Sequence, residues 1–199
     1  MDAEQLASAV ARQLFVELEA SGRHVHVTEQ QAKQLFGHRL TPKRPLSQPG
    51  QFLAEERVSV VGPKGEFRDV AVLGPERKAA QVEISLTDGR TLGIQSPVRL
   101  SGDIQGSPGA TLIGSCGWVE LETGVIVAQR HIHLTPEAAE HFGVTDRQKV
   151  KLRTLTGRPV IFEDVAVRVS PDFAPYAHLD YDEANACGFQ KGDLGRILP

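Results

Sequence analysis

Two short histidine motifs are the residues whose types and spacing most directly suggest chemistry. His24 and His26 are separated by one residue, and so are His131 and His133. In an extended strand, residues i and i+2 face the same side, which sets two imidazoles about 6–7 Å apart along the strand. Imidazole nitrogens are suitable ligands for Zn²⁺ and other borderline divalent metals. Each motif is therefore half of a candidate metal site, although a single such motif is also common on a half-exposed strand.

The two motifs belong to an internal repeat. The segment RHVHVTE at 23–29 recurs as RHIHLTP at 130–136, and DVAV occurs at 69–72 and again 95 residues later at 164–167. The same offset of 95 places Glu83 opposite His178. Catalytic zinc usually has three protein ligands and one open position. The repeat therefore predicts two metal sites, which could form one two-metal centre: His24, His26 and Glu83; and His131, His133 and His178.

Residues beside the motifs are candidates for supporting roles. Arg23 and Arg130 directly precede the two motifs. They could donate hydrogen bonds to groups behind the metal ligands, and exposure to solvent at a strand edge is an equally good explanation. Three carboxylates at 180, 182 and 183 follow His178, either as acceptors that orient it or as loop residues. The remaining histidines, His38 and His141, lie outside the repeat pattern and are predicted to be surface residues.

Basic residues near turns suggest that the protein handles an anion. Arg77 lies six residues before Glu83 and is predicted to lie near the first metal. The planar guanidinium fork meets two oxygens at once, which suits phosphate. Arg99 is a second, weaker candidate for such a role, and ordinary exposure at a turn is the alternative for both residues.

Composition excludes several classes of protein. The chain has 199 residues and a formal net charge of −3, so it is not an electrostatic nucleic-acid binder. It contains no apolar run of the ~20 residues that a membrane-spanning helix needs, and no secretory signal is expected. With only Cys116 and Cys187, it has neither a disulfide framework nor a four-cysteine metal site, and we expect a reduced intracellular location.

Hydrophobic periodicity predicts a mainly β protein. A helix is predicted over 2–14, a strand from 15 to 27, and a helix over 29–36 that ends at Gly37. Short alternating strands with Gly and Pro turns follow to about 119, including one over 81–86 that ends at Asp88 and Gly89. This pattern favours small barrels over parallel βαβ units, and the duplication predicts two similar small domains, each with its own core.

Together, these segments resemble the PduL-type phosphate acyltransferases, or phosphate propanoyltransferases. The resemblance covers nearly the whole chain. The matching segments are SGRHVH (21–26), LSQPGQF (46–52), VGPKG (61–65), LGPER (73–77), QVEIS (81–85), PVRLSG (97–102), VAQRHIH (127–133) and HLDYDEANA (178–186).

The resemblance implies a domain organisation. It implies two similar β-barrels capped by short helices, with the active site between them. The N-terminal helix would cover 1–14, the first barrel 23–129 and the second barrel 130–199. The strand over 15–22 would cross into the second barrel.

The resemblance also implies the reaction acyl-CoA + phosphate ⇌ acyl phosphate + CoA at a dinuclear zinc site. Arg77 matches the phosphate-binding arginine of the family, and Lys64 and Arg99 are weak candidates for contacts to phosphate or CoA. The chain offers no evident nucleophile of its own, and Cys116 has no activating partner in the sequence. We therefore expect phosphate to attack the thioester directly, oriented by the two divalent ions and by Arg77.

Partners and rival functions follow from the same resemblance. Acyl-CoA and phosphate are the expected substrates, and a homo-oligomer is compatible with the sequence. The N-terminal helix either targets the enzyme to shell or core proteins of a propanediol-degrading bacterial microcompartment in the cytoplasm, or packs on its own barrel. The alternatives are a dinuclear metal hydrolase and a non-catalytic metal-binding assembly module. Phosphate-dependent release of thiol from acyl-CoA separates the three.

Overall fold

The computed structural model describes Asp2 and residues 14–198. The helix predicted over 2–14 lies outside the described residues, apart from its two ends. The chain forms two compact units, which we name the sheet unit (Gly22–Ala128) and the barrel unit (the residues up to Ser21 together with those from Gln129 onward). Among the described residues, no helix combines the length and the apolar character needed to span a membrane.

Strands dominate both units. The strands are β1 Val16–Ser21, β2 His24–His26, β3 Pro42–Pro45, β4 Phe52–Val61, β5 Glu66–Gly74, β6 Gln81–Ile84, β7 Val98–Arg99, β8 Ala110–Ile113, β9 Trp118–Leu121, β10 Val125–Ala128, β11 His131–Leu134, β12 Lys149–Leu155, β13 Ile161–Val169, β14 Tyr176–Asp180 and β15 Leu194–Leu198. The helices are α1 Glu29–Phe36, α2 Leu86–Leu92, α3 Pro136–Phe142 and α4 Tyr181–Cys187. The prediction of a mainly β fold with short helices is confirmed.

The two units have separate sheets and separate cores. In the barrel unit, six strands close in the order β1-β14-β11-β13-β12-β15. In the sheet unit, nine strands form one sheet in the order β7-β10-β6-β2-β5-β4-β8-β9, with β3 paired to β4. Apolar side chains of each sheet form its own buried cluster, in which Leu112 and Leu152 are fully buried.

The structure confirms one helix predicted from the sequence and contains another that was not predicted. Thr28 caps α1 through a capping box with Gln31, and Gly37 ends the helix in the left-handed conformation, so this predicted helix is confirmed. The strand predicted over 81–86 is too long. It ends at Ile84, and Ser85 caps α2. A helix of seven residues that contains a glycine is too short for periodicity to reveal.

The strand predicted over 15–27 is interrupted. β1 ends at Ser21, and β2 begins at His24. β1 pairs with β14 and β15, whereas β2 pairs with β5 and β6. The break falls at Gly22, where the chain passes from the barrel unit to the sheet unit.

The internal repeat extends to the backbone conformation. Asp69 in β5 has φ 56°, and Asp164, its equivalent in β13, has φ 53°. Non-glycine residues seldom adopt this left-handed region, and Asp is among those that tolerate it. An uncommon conformation at matching positions indicates that the two units share a local architecture as well as sequence motifs.

Core packing predicts unequal effects for two leucines of β12. Replacing fully buried Leu152 with alanine should lower the free energy of unfolding by about 2–5 kcal/mol, because it leaves a cavity in the barrel core. Leu155→Ala, on the same strand but 40% exposed, should cost roughly 1 kcal/mol or less. Urea denaturation of metal-free protein measures both, and equal losses would contradict the assignment of the core.

Candidate metal sites

In the sheet unit, two neighbouring strands bring three predicted ligands together. β2 carries His24 and His26 on one face, and His24 lies directly opposite Glu83 of β6 in an antiparallel pair. Glu83 Oε1 is 3.5 Å from His24 Nε2 and 4.0 Å from His26 Nε2. All three side chains are buried.

The geometry of these side chains fits a metal ion. The donor atoms lie within 4.8 Å of one another, and a tetrahedral ion with bonds of about 2.0–2.1 Å separates its ligands by roughly 3.3 Å. The Nδ1 atom of His24 donates to the Gly22 carbonyl at 2.8 Å, and that of His26 donates to the Leu73 carbonyl at 3.1 Å. Because a carbonyl can only accept, Nδ1 carries the proton in each ring, and Nε2 is left to bind a metal.

A hydrogen-bond network holds the Glu83 carboxylate. Its Oε1 accepts from Gln81 Nε2 at 2.5 Å and from Ser101 Oγ at 3.0 Å. Gln81 Nε2 also donates to Ser101 Oγ at 2.8 Å, and a guanidinium nitrogen of Arg77 donates to the same oxygen at 3.1 Å. Arg77 is thus linked to Glu83 through the Ser101 hydroxyl.

Burial and charge set the protonation of this cluster. Burial by itself raises the pKa of the Glu83 carboxyl, but the charge and hydrogen bond of His24, with His26 and Ser101, outweigh it and hold the pKa well below its usual range. Burial is the largest single influence and lowers the pKa of His24, but the charge of Glu83, its hydrogen bond and the hydrogen bond to Gly22 together raise that pKa above its usual value. Burial and then the positive charges of His24 and Arg77 hold the pKa of His26 well below its usual value. Because a metal ion binds only the neutral ring, a raised pKa of His24 means that protons compete with the metal for its Nε2 atom.

In the barrel unit, the equivalent strands assemble three histidines. His131 of β11 lies directly opposite His178 of β14. The ring centroids are 4.7 Å apart for His131 and His133, 5.0 Å for His131 and His178, and 4.9 Å for His133 and His178. The donor nitrogens lie within 4.8 Å of one another, so this set also fits one ion.

Neighbouring groups orient these rings. His131 Nδ1 donates to the Gln129 carbonyl at 2.8 Å, which repeats the arrangement at His24. His178 Nδ1 lies 3.4 Å from a carboxylate oxygen of Glu19, its partner across the parallel pair of β1 and β14. The Phe173 ring packs on His133 with centroids 4.1 Å apart. A carboxylate beside the second nitrogen of a histidine is typical of metal ligands.

The weaker anion-binding candidates lie elsewhere in the sheet unit. Arg99 pairs with Asp103 at 3.2 Å and donates to the Gln105 carbonyl at 2.5 Å. Lys64 lines a cavity of about 440 Å³ in the sheet unit together with Arg90. Substrate contacts by Arg99 and Lys64 stay predictions.

Three residues around the sites were missed in the sequence. Gln81 lies two positions before Glu83 on the same strand, so strand alternation could have placed it on the ligand face. Ser101 and Glu19 are far from their partners in sequence, and only the fold brings them to Glu83 and to His178.

The fold and the donor sets define a class of protein: a duplicated β protein with one set of three candidate metal ligands in each unit. Comparison with known proteins gives the family. The family profile described as phosphate propanoyltransferase matches residues 17–190. The chain therefore belongs to the phosphate propanoyltransferase family, a family of phosphate acyltransferases.

Similar proteins of the same name come from several bacteria. Phosphate propanoyltransferase of Clostridioides difficile is 48% identical over 98% of this chain and 94% of its own length. That of Listeria monocytogenes is 52% identical over 98% of this chain and 92% of its own. That of Enterococcus faecalis is 55% identical over 92% of this chain and 87% of its own. The similarity thus spans both units.

The network around Glu83 predicts that Ser101→Ala is destabilising. The variant removes one donor to a buried carboxylate and the acceptor for Arg77 and Gln81, so it should lower the free energy of unfolding by about 1–3 kcal/mol. Denaturant unfolding of metal-free protein measures the change. Ser101→Thr, which keeps a hydroxyl, and Ser115→Ala, at an exposed position of the same unit, should lose much less. A loss in Ser115→Ala equal to that in Ser101→Ala would contradict the role of the network.

Proposed function

We propose that the protein catalyses acyl-CoA + phosphate ⇌ acyl phosphate + CoA with one divalent metal ion in each unit, zinc being favoured. The observation that carries the proposal is that both three-residue donor sets, with Arg77 beside the first, are intact in a chain of this family. The relatives' name makes propanoyl the first acyl group to test.

The donor atoms account for the choice of metal. Five imidazoles and one carboxylate form the two sets, and these ligand types suit zinc, with cobalt and iron as chemically compatible alternatives. When bound, the ions supply positive charge that attracts phosphate and polarises the thioester carbonyl. The joint action of the two ions on one substrate stays a prediction from the duplication.

Arg77 is the proposed phosphate-binding residue of the chain itself. Its backbone N–H donates to the Val27 carbonyl at 2.8 Å, and its side chain donates to Ser101, which fixes the guanidinium beside the ligand Glu83. The fork has further N–H groups that can meet two oxygens of a phosphate. Arg77 would thus hold and orient the nucleophile and offset its charge.

Direct attack by phosphate is the proposed route, because neither cysteine is placed as a nucleophile. Cys116 is exposed on the β8–β9 hairpin, and Cys187 is fully buried in the core of the barrel unit, where burial raises the pKa of its thiol. An oxygen of hydrogen phosphate would bond to the thioester carbon as the carbon–sulfur bond breaks. The proton of the phosphate ends on the CoA sulfur, so charge and atoms balance.

We also propose that the protein forms a homo-oligomer and that it is located in a bacterial microcompartment for propanediol degradation. The location is argued from the predicted amphipathic helix over 2–14, in which Leu6, Val10 and Leu14 recur at four-residue spacing. This helix would bind shell or core proteins. Its packing on the barrel unit remains the alternative.

The central prediction joins metal content and activity. Purified protein should hold about two metal ions per chain and release thiol from propionyl-CoA only when phosphate is present. His131→Ala should lose about one ion and nearly all activity, because three ligands become two. Elemental analysis and a thiol-reagent assay measure these quantities.

A matched control keeps that experiment interpretable. His141→Ala removes an imidazole of the same unit that lies outside the donor sets, so it should keep both ions and full activity. Thiol release without phosphate would favour a metal hydrolase instead. Metal-loaded protein that releases no thiol from acetyl-, propionyl- or butyryl-CoA would favour the non-catalytic module.

Substitution of Arg77 tests its role in phosphate binding. Arg77→Lys keeps a positive charge but loses the fork, so kcat/KM for phosphate should fall about 10- to 100-fold with metal content unchanged. Arg68→Lys, the same change at an exposed position of the unit, is the control. Steady-state kinetics with phosphate varied give the result, and an unchanged KM and kcat in Arg77→Lys would exclude the assignment.

A further inference from the structure

We propose that Arg23 and Arg130 are positioning residues for the two metal sites. Each would clamp the strand that carries two histidine ligands to the end of the strand that carries the third ligand. This inference rests on the metal binding proposed above. Each arginine would increase the metal affinity of the site in its own unit.

In the sheet unit, Arg23 holds one buried carboxylate by two bonds. Its Nε donates to Asp88 Oδ2 at 3.1 Å, and its Nη2 donates to Asp88 Oδ1 at 2.7 Å. The guanidinium carbon lies 4.1 Å from the centre of the Phe67 ring, on β5. Asp88 is buried and the Arg23 side chain is 35% exposed, so this is a charge-assisted pair with its carboxylate removed from water. The Arg23 guanidinium is held at its edge by the carboxylate and at its face by the aromatic ring, so it has little freedom to move.

Asp88 connects Arg23 to the third ligand. It is the third residue of α2, and its Oδ2 also accepts the backbone N–H of Ser85 at 3.2 Å in the capping box. Ser85 follows Glu83 by two residues and comes directly after the last residue of β6. One carboxylate therefore joins the residue before His24 to the chain immediately after Glu83.

The barrel unit repeats the arrangement with different residues. Arg130, just before His131, donates from Nη1 to Glu183 Oε1 at 2.8 Å. Glu183 is the third residue of α4, and its Oε2 accepts the backbone N–H of Asp180 at 3.1 Å. Asp180 follows His178 by two residues, as Ser85 follows Glu83. The Arg130 guanidinium lies 5.7 Å from the centre of the Phe162 ring.

The correspondence is too complete for chance solvation of two strand edges. In each unit the arginine directly precedes the first ligand, the helix cap comes two residues after the third ligand, and the clamping carboxylate comes five residues after it. The carboxylate and the aromatic ring are each 95 residues from their equivalents, the same offset that relates Glu83 to His178. The same arrangement of arginine, carboxylate and aromatic ring thus lies beside both donor sets, although the third ligand is a glutamate in one set and a histidine in the other.

The two clamps differ in strength. Arg23 donates two bonds to its carboxylate, whereas Arg130 donates one to Glu183 and one, from Nε at 2.7 Å, to the Glu163 carbonyl. The Arg23 guanidinium also lies closer to its aromatic ring. Loss of the arginine should therefore weaken the metal site of the sheet unit more than that of the barrel unit.

The experiment measures metal affinity one site at a time. His131→Ala leaves only the sheet-unit site, and Zn²⁺ binding to that background is measured by competition with a chromophoric chelator. Adding Arg23→Met should weaken Zn²⁺ binding about 10- to 100-fold, the usual loss when a partner behind the ligands is removed. Adding Arg90→Met, at an exposed position of α2, should leave the affinity unchanged.

The barrel unit provides a reciprocal test. In a His24→Ala background, Arg130→Met should weaken Zn²⁺ binding by a smaller factor, and Arg153→Met, at an exposed position of β12, should not. Arg23→Met should have no effect in this background. An effect of Arg23→Met on both sites would indicate general disturbance of the protein and would overturn the inference.

A double variant separates positioning from fold stability. Arg23→Met alone leaves the buried Asp88 charge without its ion-pair partner and destabilises the sheet unit. Arg23→Met with Asp88→Asn removes both charges of the pair and keeps a side chain that can accept the Ser85 N–H. We expect denaturant unfolding of the metal-free double variant to recover most of the lost stability while Zn²⁺ affinity stays low. Recovery of affinity along with stability would show that the pair only stabilises the fold. If neither single-site background binds Zn²⁺, the metal proposal fails, and this inference fails with it.

Discussion

The structure depends on one constraint, the direct pairing of the strand that carries two histidines with the strand that carries the third ligand. His24 lies opposite Glu83, and His131 lies opposite His178. Side chains alternate along a strand, so a slip of one residue would turn the third ligand to the opposite face. The separate apolar cores of the two units and the capped helices that follow the third ligands hold this register.

The two sites differ because a carboxylate and an imidazole need opposite surroundings. Buried Glu83 is only an acceptor, and the sheet unit supplies donors from Gln81 and Ser101, with Arg77 behind them. His178 has a ring nitrogen with a proton to donate, and the barrel unit places the Glu19 carboxylate beside it. The donor set of the sheet unit carries one negative charge and that of the barrel unit none, so equivalent strands present different charges to a bound ion.

Much of the site could be read from the sequence because its signals are local or repeated. The spacing of His24 and His26 places them on one face, and the offset of 95 identifies Glu83 and His178 without knowledge of the sheet. Short helices were harder: α2 escaped notice because seven residues do not show a period of 3.6, although the Ser85 capping signal was present. Ser101 and Glu19 could not be found, since no local pattern marks a residue whose partner is distant in sequence.

The sequence by itself determined the mainly β class and the duplication, and it predicted the six candidate ligands and a place for Arg77 near the first set. These features follow from residue type and strand alternation, which are visible within a few residues, and from the internal repeat, which relates equivalent positions of the two units. Only the tertiary structure decided that β1 joins the closed barrel while β2 joins the other sheet, and that Arg23 and Arg130 bind carboxylates behind the third ligands. Strand partners and buried ion pairs depend on which distant segments share a core, and that choice is made by the packing of the whole chain.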